Sequence, residues 1–226
     1  MHQRSAQQAA AVTGQRPGSA DPGMNAIREF RDAKLARLSE PHAGPLTALV
    51  DRWRAEGRPV PYPDPDLGGV HARILFLHES PGPKASMDNG SGLISPDNAD
   101  PSARRFWRLS RDAHLPRDAY ISWNVVPWYV SATGKNQNAT SADAQAALPY
   151  LHEFVGLLPE LRVVVLMGRF AQQWWPRYLI ACRDAPVLRV LAAPHPSDRA
   201  GIGNPGQEPQ ILSAMTRAAE ASVRPI

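Results

Sequence analysis

Leu161-Arg162-Val163-Val164-Val165-Leu166-Met167-Gly168-Arg169 joins an apolar run to the start of a helical pattern. Its apolar run is Val-rich and continuous rather than alternating. That pattern belongs to a strand buried on both faces, as in a parallel sheet held between helices. A glycine and an arginine then open a helical pattern that runs from Arg169 to Tyr178. The same alternation repeats on either side. Upstream, Arg73 to Leu77 is a short apolar strand, Ser102 to Ala113 a helix with Ser102 as N-cap, and Ala119 to Trp123 a second strand. A longer helix follows from Ser141 to Leu158, with an aspartate in its first turn. Downstream, Val187 to Ala193 reads as a buried strand and Glu208 to Ala221 as the last helix. Strands alternating with helices predict an α/β protein, a three-layer α/β/α sandwich with a central four-stranded parallel sheet.

The ends are of a different character. Residues 1–23 are rich in Gln, Ala, Gly and Ser without apolar periodicity and are expected to form a flexible N-terminal tail. Met24 stands as an alternative start, and residues 24–226 as one domain. Two helices are predicted at about Met24 to Leu38 and Pro45 to Glu56, before an extended or turning connector from Pro59 to Asp66. No run of about 18 apolar residues is present, and no membrane partner is expected. The single cysteine, Cys182, cannot form an internal disulfide, which fits a reducing, cytoplasmic setting. The seven histidines show no metal-ligand spacing, and no metal site is expected. Net charge is +4 and the pI about 9.6, which suits a nucleic-acid partner. The excess is small and has no dense basic run, so charge alone leaves an Arg-rich chain with no particular partner equally open.

The chemistry is concentrated where strands end. The first strand runs into His78-Glu79-Ser80-Pro81-Gly82, and a Pro-Gly turn there lets backbone approach a ligand closely. The second runs into Asn124-Val125-Val126-Pro127-Trp128, where Asn124 presents a donor and an acceptor to a planar polar ligand. The third ends in Gly168-Arg169, opening a helix whose free amides can hold a phosphate. The fourth ends in His195-Pro196-Ser197-Asp198-Arg199. In open α/β sheets, ligands bind at the carboxyl ends of the strands, so all four sequences are expected on one rim. Each has a plain structural reading as well. His195 can cap a strand, Asn124 can form a turn, and Glu79 can be a solvated loop charge. Their order along the chain is what gives the set weight.

In that order the four motifs resemble the uracil-DNA glycosylase superfamily, over about Arg73 to Arg199. His78-Glu79-Ser80-Pro81-Gly82 looks most like the family's Gly-Glu-Ala-Pro-Gly motif, with His for the leading Gly and Ser for Ala. Asn124 falls on the family's base-reading Asn. Met167-Gly168-Arg169-Phe170-Ala171 resembles Leu-Gly-x-x-Ala, and His195-Pro196-Ser197 resembles His-Pro-Ser-Pro, with Asp198 in place of the second Pro. The resemblance implies a DNA glycosylase for uracil or a related deaminated base, acting as a monomer without a cofactor. It makes His195 the donor that stabilises the departing base anion, with Glu79 and Ser80 beside it in catalysis. Asn124, Pro81, Gly82 and one of Leu93 or Ile94 would form the base pocket, and Ser197, Arg199, Gly168 and Arg169 would bind DNA.

Three departures accompany the resemblance. The water-activating acid of some family members falls on Ser80, a poor base, although members with Ala there are active. Glu79 and Asp88 are the nearest alternative carboxylates. The Phe that stacks on the base falls on Leu93 or Ile94, which forfeits aromatic stacking of about 1–3 kcal/mol. The alternative is that both pack in the core and an aromatic such as Phe106, Trp107 or Trp128 covers the base instead. The cysteines that bind an iron–sulfur cluster in the Gly-Glu-Ala-Pro-Gly relatives are absent. These departures keep two rivals open: a non-catalytic DNA-binding member of the same fold, and a glycosylase for another base such as hypoxanthine.

Overall fold

The computed structural model describes residues 21–130, 137–197 and 205–223. The tail expected over residues 1–23 falls, up to residue 20, outside the described residues. In chain order the elements are α1 (Arg28–Leu35), α2 (Gly44–Ala55), β1 (Tyr62–Pro63), β2 (Ile74–His78), β3 (Leu93–Ile94), α3 (Pro101–Asp112), β4 (Tyr120–Asn124), α4 (Ser141–Gly156), β5 (Val163–Met167), α5 (Arg169–Ala181), β6 (Arg189–Ala193) and α6 (Glu208–Ser222). The central sheet has four parallel strands in the order β4-β2-β5-β6. Helices cover both faces, so the architecture is the expected three-layer α/β/α sandwich.

The apolar strands feed two cores by simple alternation. Leu75 and Leu77 of β2, Ile121 and Trp123 of β4, and Val164 and Leu166 of β5 pack with residues of α2, α4 and α5. There Trp123 stacks flat on Phe154, with ring centroids 4.0 Å apart. Ile74 and Phe76, Tyr120, and Val163, Val165 and Met167 face the other way, into a core closed by α3 and α6. Every residue of β5 is buried, as its unbroken apolar run implies.

Four expectations need correction. The run from Val187 to Ala193 is not a buried strand. It supplies β6, an edge strand paired among the described residues only with β5; Val190 within it is 47% exposed and Val187, just before it, 84%. An apolar run cannot announce its place in the sheet. The helix expected from Met24 to Leu38 is a short turn at Met24–Ala26 followed by α1, because Ile27 between them is extended. The connector from Pro59 to Asp66 contains β1, which pairs in parallel with β3 as a separate two-stranded sheet. Ser102 does not cap α3. Asp100 does, accepting the Ala103 N–H at 3.0 Å, with Pro101 at the first helical position. Proline has no amide to satisfy there, so the helix starts ahead of the serine.

Candidate functional site

The carboxyl ends of all four central strands open into one cavity of about 780 Å³. His78 ends β2 and lies level with Asn124, the last residue of β4, as its partner in the ladder. Met167 and Gly168 close β5, and His195 follows β6. His195, Glu79, Ser80, Pro81, Gly82, Asn124, Ile94, Ser197, Gly168 and Arg169 all line this cavity. Leu93 does not. It pairs with Tyr62 in the β1–β3 ladder, and alternation sends it into the interior while Ile94 turns to the cavity. Asp88 is exposed and off the cavity. Arg199 lies outside the described residues.

The orientation of His195 is set locally. The Ser197 amide donates to its Nδ1 at 3.1 Å, and the Ser197 hydroxyl lies 2.8 Å from the same atom. An amide can only donate, so Nδ1 is the acceptor and the proton of the neutral ring sits on Nε2. The loop is held from α3, where Arg105 Nη1 donates to the Pro196 carbonyl at 3.1 Å. Arg105 in turn pairs with Glu208 at the start of α6, at 3.2 Å. Gly168 is required beneath the ring. Its φ is +90°, and a Cβ there would sit 2.9 Å from the His195 Cβ. At the other end of the rim, Asn124 is buried and its Nδ2 has no hydrogen-bond partner among the described residues. An unpaired buried amide costs about 1–3 kcal/mol, so a ligand that accepts from it gains accordingly.

Two carboxylates reach the cavity wall. Glu79 accepts the Ala139 N–H on Oε1 at 2.8 Å, which fastens the segment leading into α4. Asp100, missed in the sequence because Ser102 seemed the better cap, has its pKa raised by burial, against the pull of the Ala103 and Ser102 amides. His78 was also assigned no role from sequence. Burial, and secondarily the neighbouring His195, push its pKa down to about 3, so the ring is neutral at ordinary pH. The apolar run ends at Leu77, whereas the strand itself runs one residue further, to His78. The aromatic rings on the wall are Phe106, from α3, and Phe170, from α5. Trp107 and Trp128 stand off it, under the guanidinium groups of Arg111 and Arg58. Arg169 is exposed at the first position of α5, so its charge and the helix N-terminus both draw an anion to this edge.

A cavity at the carboxyl rim of a parallel sheet, with the buried Asn124 amide on its wall, stands where open α/β sheets bind their ligands. The family model of the uracil DNA glycosylase superfamily matches residues 65–209, and the chain belongs to that superfamily. Its members are in general DNA glycosylases. No curated protein matches the chain. Among solved structures, the crystal structure of wild-type Pedobacter heparinus SMUG2 aligns with a TM-score of 0.49 at 12% identity, covering 94% of this chain and 97% of that one.

Proposed function

We propose that the chain is a monofunctional DNA glycosylase that hydrolyses the N-glycosidic bond of uracil or a related deaminated base in DNA. The observation that carries this reading is the pairing of an orphaned, buried Asn124 amide with the Nε2–H of His195 across one cavity. A base drawn out of the helix needs both: a group that reads its edge and a donor for the charge that appears as the bond breaks. Asn124 donates to a carbonyl on one side of the base. His195 Nε2–H donates to the oxygen that becomes anionic on the other.

Water then adds to the sugar carbon, and a carboxylate takes its proton. Glu79 is the better candidate. Among the described residues only its Oε1 is bound, to one amide, whereas Asp100 is turned toward two amides of α3. Ser197, Gly168 and Arg169 line the edge where DNA phosphates would lie. Departure of the base leaves an abasic site.

The test is release of free base, under single turnover, from duplexes carrying uracil, hypoxanthine, xanthine or a thymine mismatch. Release of at least one base is the expected result. Tight binding with no release from any of them favours a non-catalytic DNA-binding member, the reading that the Ser80 and Leu93 departures motivate. Lys84 also lies on the wall, so borohydride trapping checks the absence of a lysine–sugar adduct. None should form.

A further inference from the structure

His78 is the one imidazole on the cavity wall to which the mechanism above gives no task. The sheet order places it between the two groups already assigned. Asn124 ends β4, His78 ends the adjacent β2 in register with it, and His195 follows β6 beyond β5. Neighbouring strands lie about 4.8 Å apart, so His78 and Asn124 stand side by side. Alternation puts both on the face that holds Phe76 and Tyr120. On the other side, the His78 ring is 5.5 Å from the His195 ring, centroid to centroid, and turned 84° to it. Phe106 backs it at 5.9 Å. The ring nitrogens of His78 make no hydrogen bond with the described residues.

We propose that His78 is a specificity-determining residue, whose bare ring nitrogen accepts the imide N–H of the extruded base between the contacts of Asn124 and His195. This rests on the glycosylase reading above and adds the substrate class. A neutral imidazole has one bare nitrogen and one N–H. Taken across the rim, the protein then offers a donor from Asn124, an acceptor from His78 and a donor from His195. The complementary edge is carbonyl, N–H, carbonyl. Uracil, thymine and xanthine carry it. Cytosine presents an amine, a bare nitrogen and a carbonyl, and would leave His78 facing another acceptor. Hypoxanthine has the first carbonyl and the N–H but no second carbonyl for His195, so it would rank below xanthine.

The experiment compares the wild-type protein with His78→Ala and His78→Gln. In single-turnover release of uracil, His78→Ala should be slower by about tenfold or more, the effect of one lost hydrogen bond in the pocket. His78→Gln should recover part of the rate, since its amide oxygen can accept the same proton. Affinity for an abasic duplex should be unchanged in both. A second measurement separates recognition from packing. 1-Methyluracil keeps the imide N–H and 3-methyluracil lacks it. The first should inhibit the wild-type protein more strongly, and His78→Ala should lose that preference. Uracil release by His78→Ala at the wild-type rate, or an undiminished preference for 1-methyluracil, would overturn the proposal. Should the variants fail to fold, the ¹⁵N resonances of the His78 ring in the wild-type protein decide it. They should move with 1-methyluracil and not with 3-methyluracil, and the same response to both, or none to either, would sink the idea. If the wild-type protein releases no base from any duplex, the glycosylase reading fails, while the ¹⁵N titration still decides what His78 binds.

Discussion

Gly168→Ala is the substitution whose consequence can be worked from the geometry. The residue has φ +90° and ψ 167°, a region that side chains with a Cβ avoid at a cost of about 1–3 kcal/mol. The added methyl would also stand 2.9 Å from the His195 Cβ. Ordinary carbon–carbon contact is about 3.5–4.0 Å, so the two must part by roughly 1 Å. Gly168 is held by its amide to the Ala193 carbonyl at 2.8 Å, within the end of the β5–β6 ladder. The His195 loop is the freer partner and moves instead. A reacting group misplaced by about 1 Å costs about 10²-fold in rate. The expected outcome is therefore a modest fall in melting temperature together with a loss of base release of about 10²-fold. Gly156→Ala serves as the control. That glycine closes α4 with ordinary φ and open space around it, and alanine there should leave release untouched. Thermal melting and single-turnover release from the same preparations measure both quantities. Gly168→Ala that melts and turns over like the wild-type protein would show that His195 is not held against this glycine, and the account of the rim would be wrong.

His195→Ala should lower base release by about 10²-fold or more while changing DNA affinity far less, because phosphate contacts dominate binding; release and gel-shift assays on one duplex check it. Glu79→Gln should slow release strongly, whereas Asp100→Asn, which keeps a good N-cap for α3, should slow it little; the reverse order would move water activation to Asp100. His78 has a folded-state pKa of about 3 against 6.5 unfolded, so the unfolded chain binds the extra proton. Stability is then full above about pH 6.5 and falls as pH drops toward 3, by about 2 kcal/mol at about pH 5. Urea titrations should show that loss in the wild-type protein and lack it in His78→Gln. Lys34→Ala removes the cation that Asp64, Asp66 and Asp97 surround and should cost about 3–5 kcal/mol by the same titrations at neutral pH.

The four central strands were legible because each is an apolar run with nothing else to become, and β5 was the clearest because it is apolar on both faces. The rim residues followed from the strands, since whatever comes after a buried parallel strand must emerge at one edge. What was not legible depends on partners far away in sequence. Whether Leu93 or Ile94 meets the cavity is decided by a two-residue ladder with Tyr62 and Pro63, and nothing local signals that pairing. Asp100 and Ser102 are both good caps, and the competition is settled by Pro101, which fits the first helical position. The exposure of Val190 reflects the place of β6 at the sheet edge, a property of topology rather than composition. His78 was overlooked because a strand end judged one residue short turned a pocket residue into a loop residue.

Charges of the N-terminal third, which no sequence motif singles out, complete the pocket. Lys34 of α1 is buried with its Nζ 2.7 Å from Asp64, 3.1 Å from Asp66 and 2.6 Å from Asp97. Arg117 reaches Asp97 at 2.7 Å, and Arg37 reaches Asp66 at 2.5 Å. Three cations thus face three aspartates, which is the condition for burying charge at all. Asp97 and its neighbour Asn98 belong to the segment between β3 and α3, and that segment is one wall of the cavity from Ile94 to Ala103. Asn98 is tied to Asn25, Ser91 and the Leu93 carbonyl. A wall without regular structure has few backbone hydrogen bonds to keep its shape, so these side chains supply the rigidity that a base pocket requires. The family match begins at residue 65, after both Lys34 and Asp64. Without the preceding segment, Asp66 would lose both Lys34 and Arg37 and Asp97 would lose Lys34, and the loop over the base would lose the ion pairs that hold it in place. The N-terminal helices are therefore part of the site's framework, even though none of their residues lines the cavity.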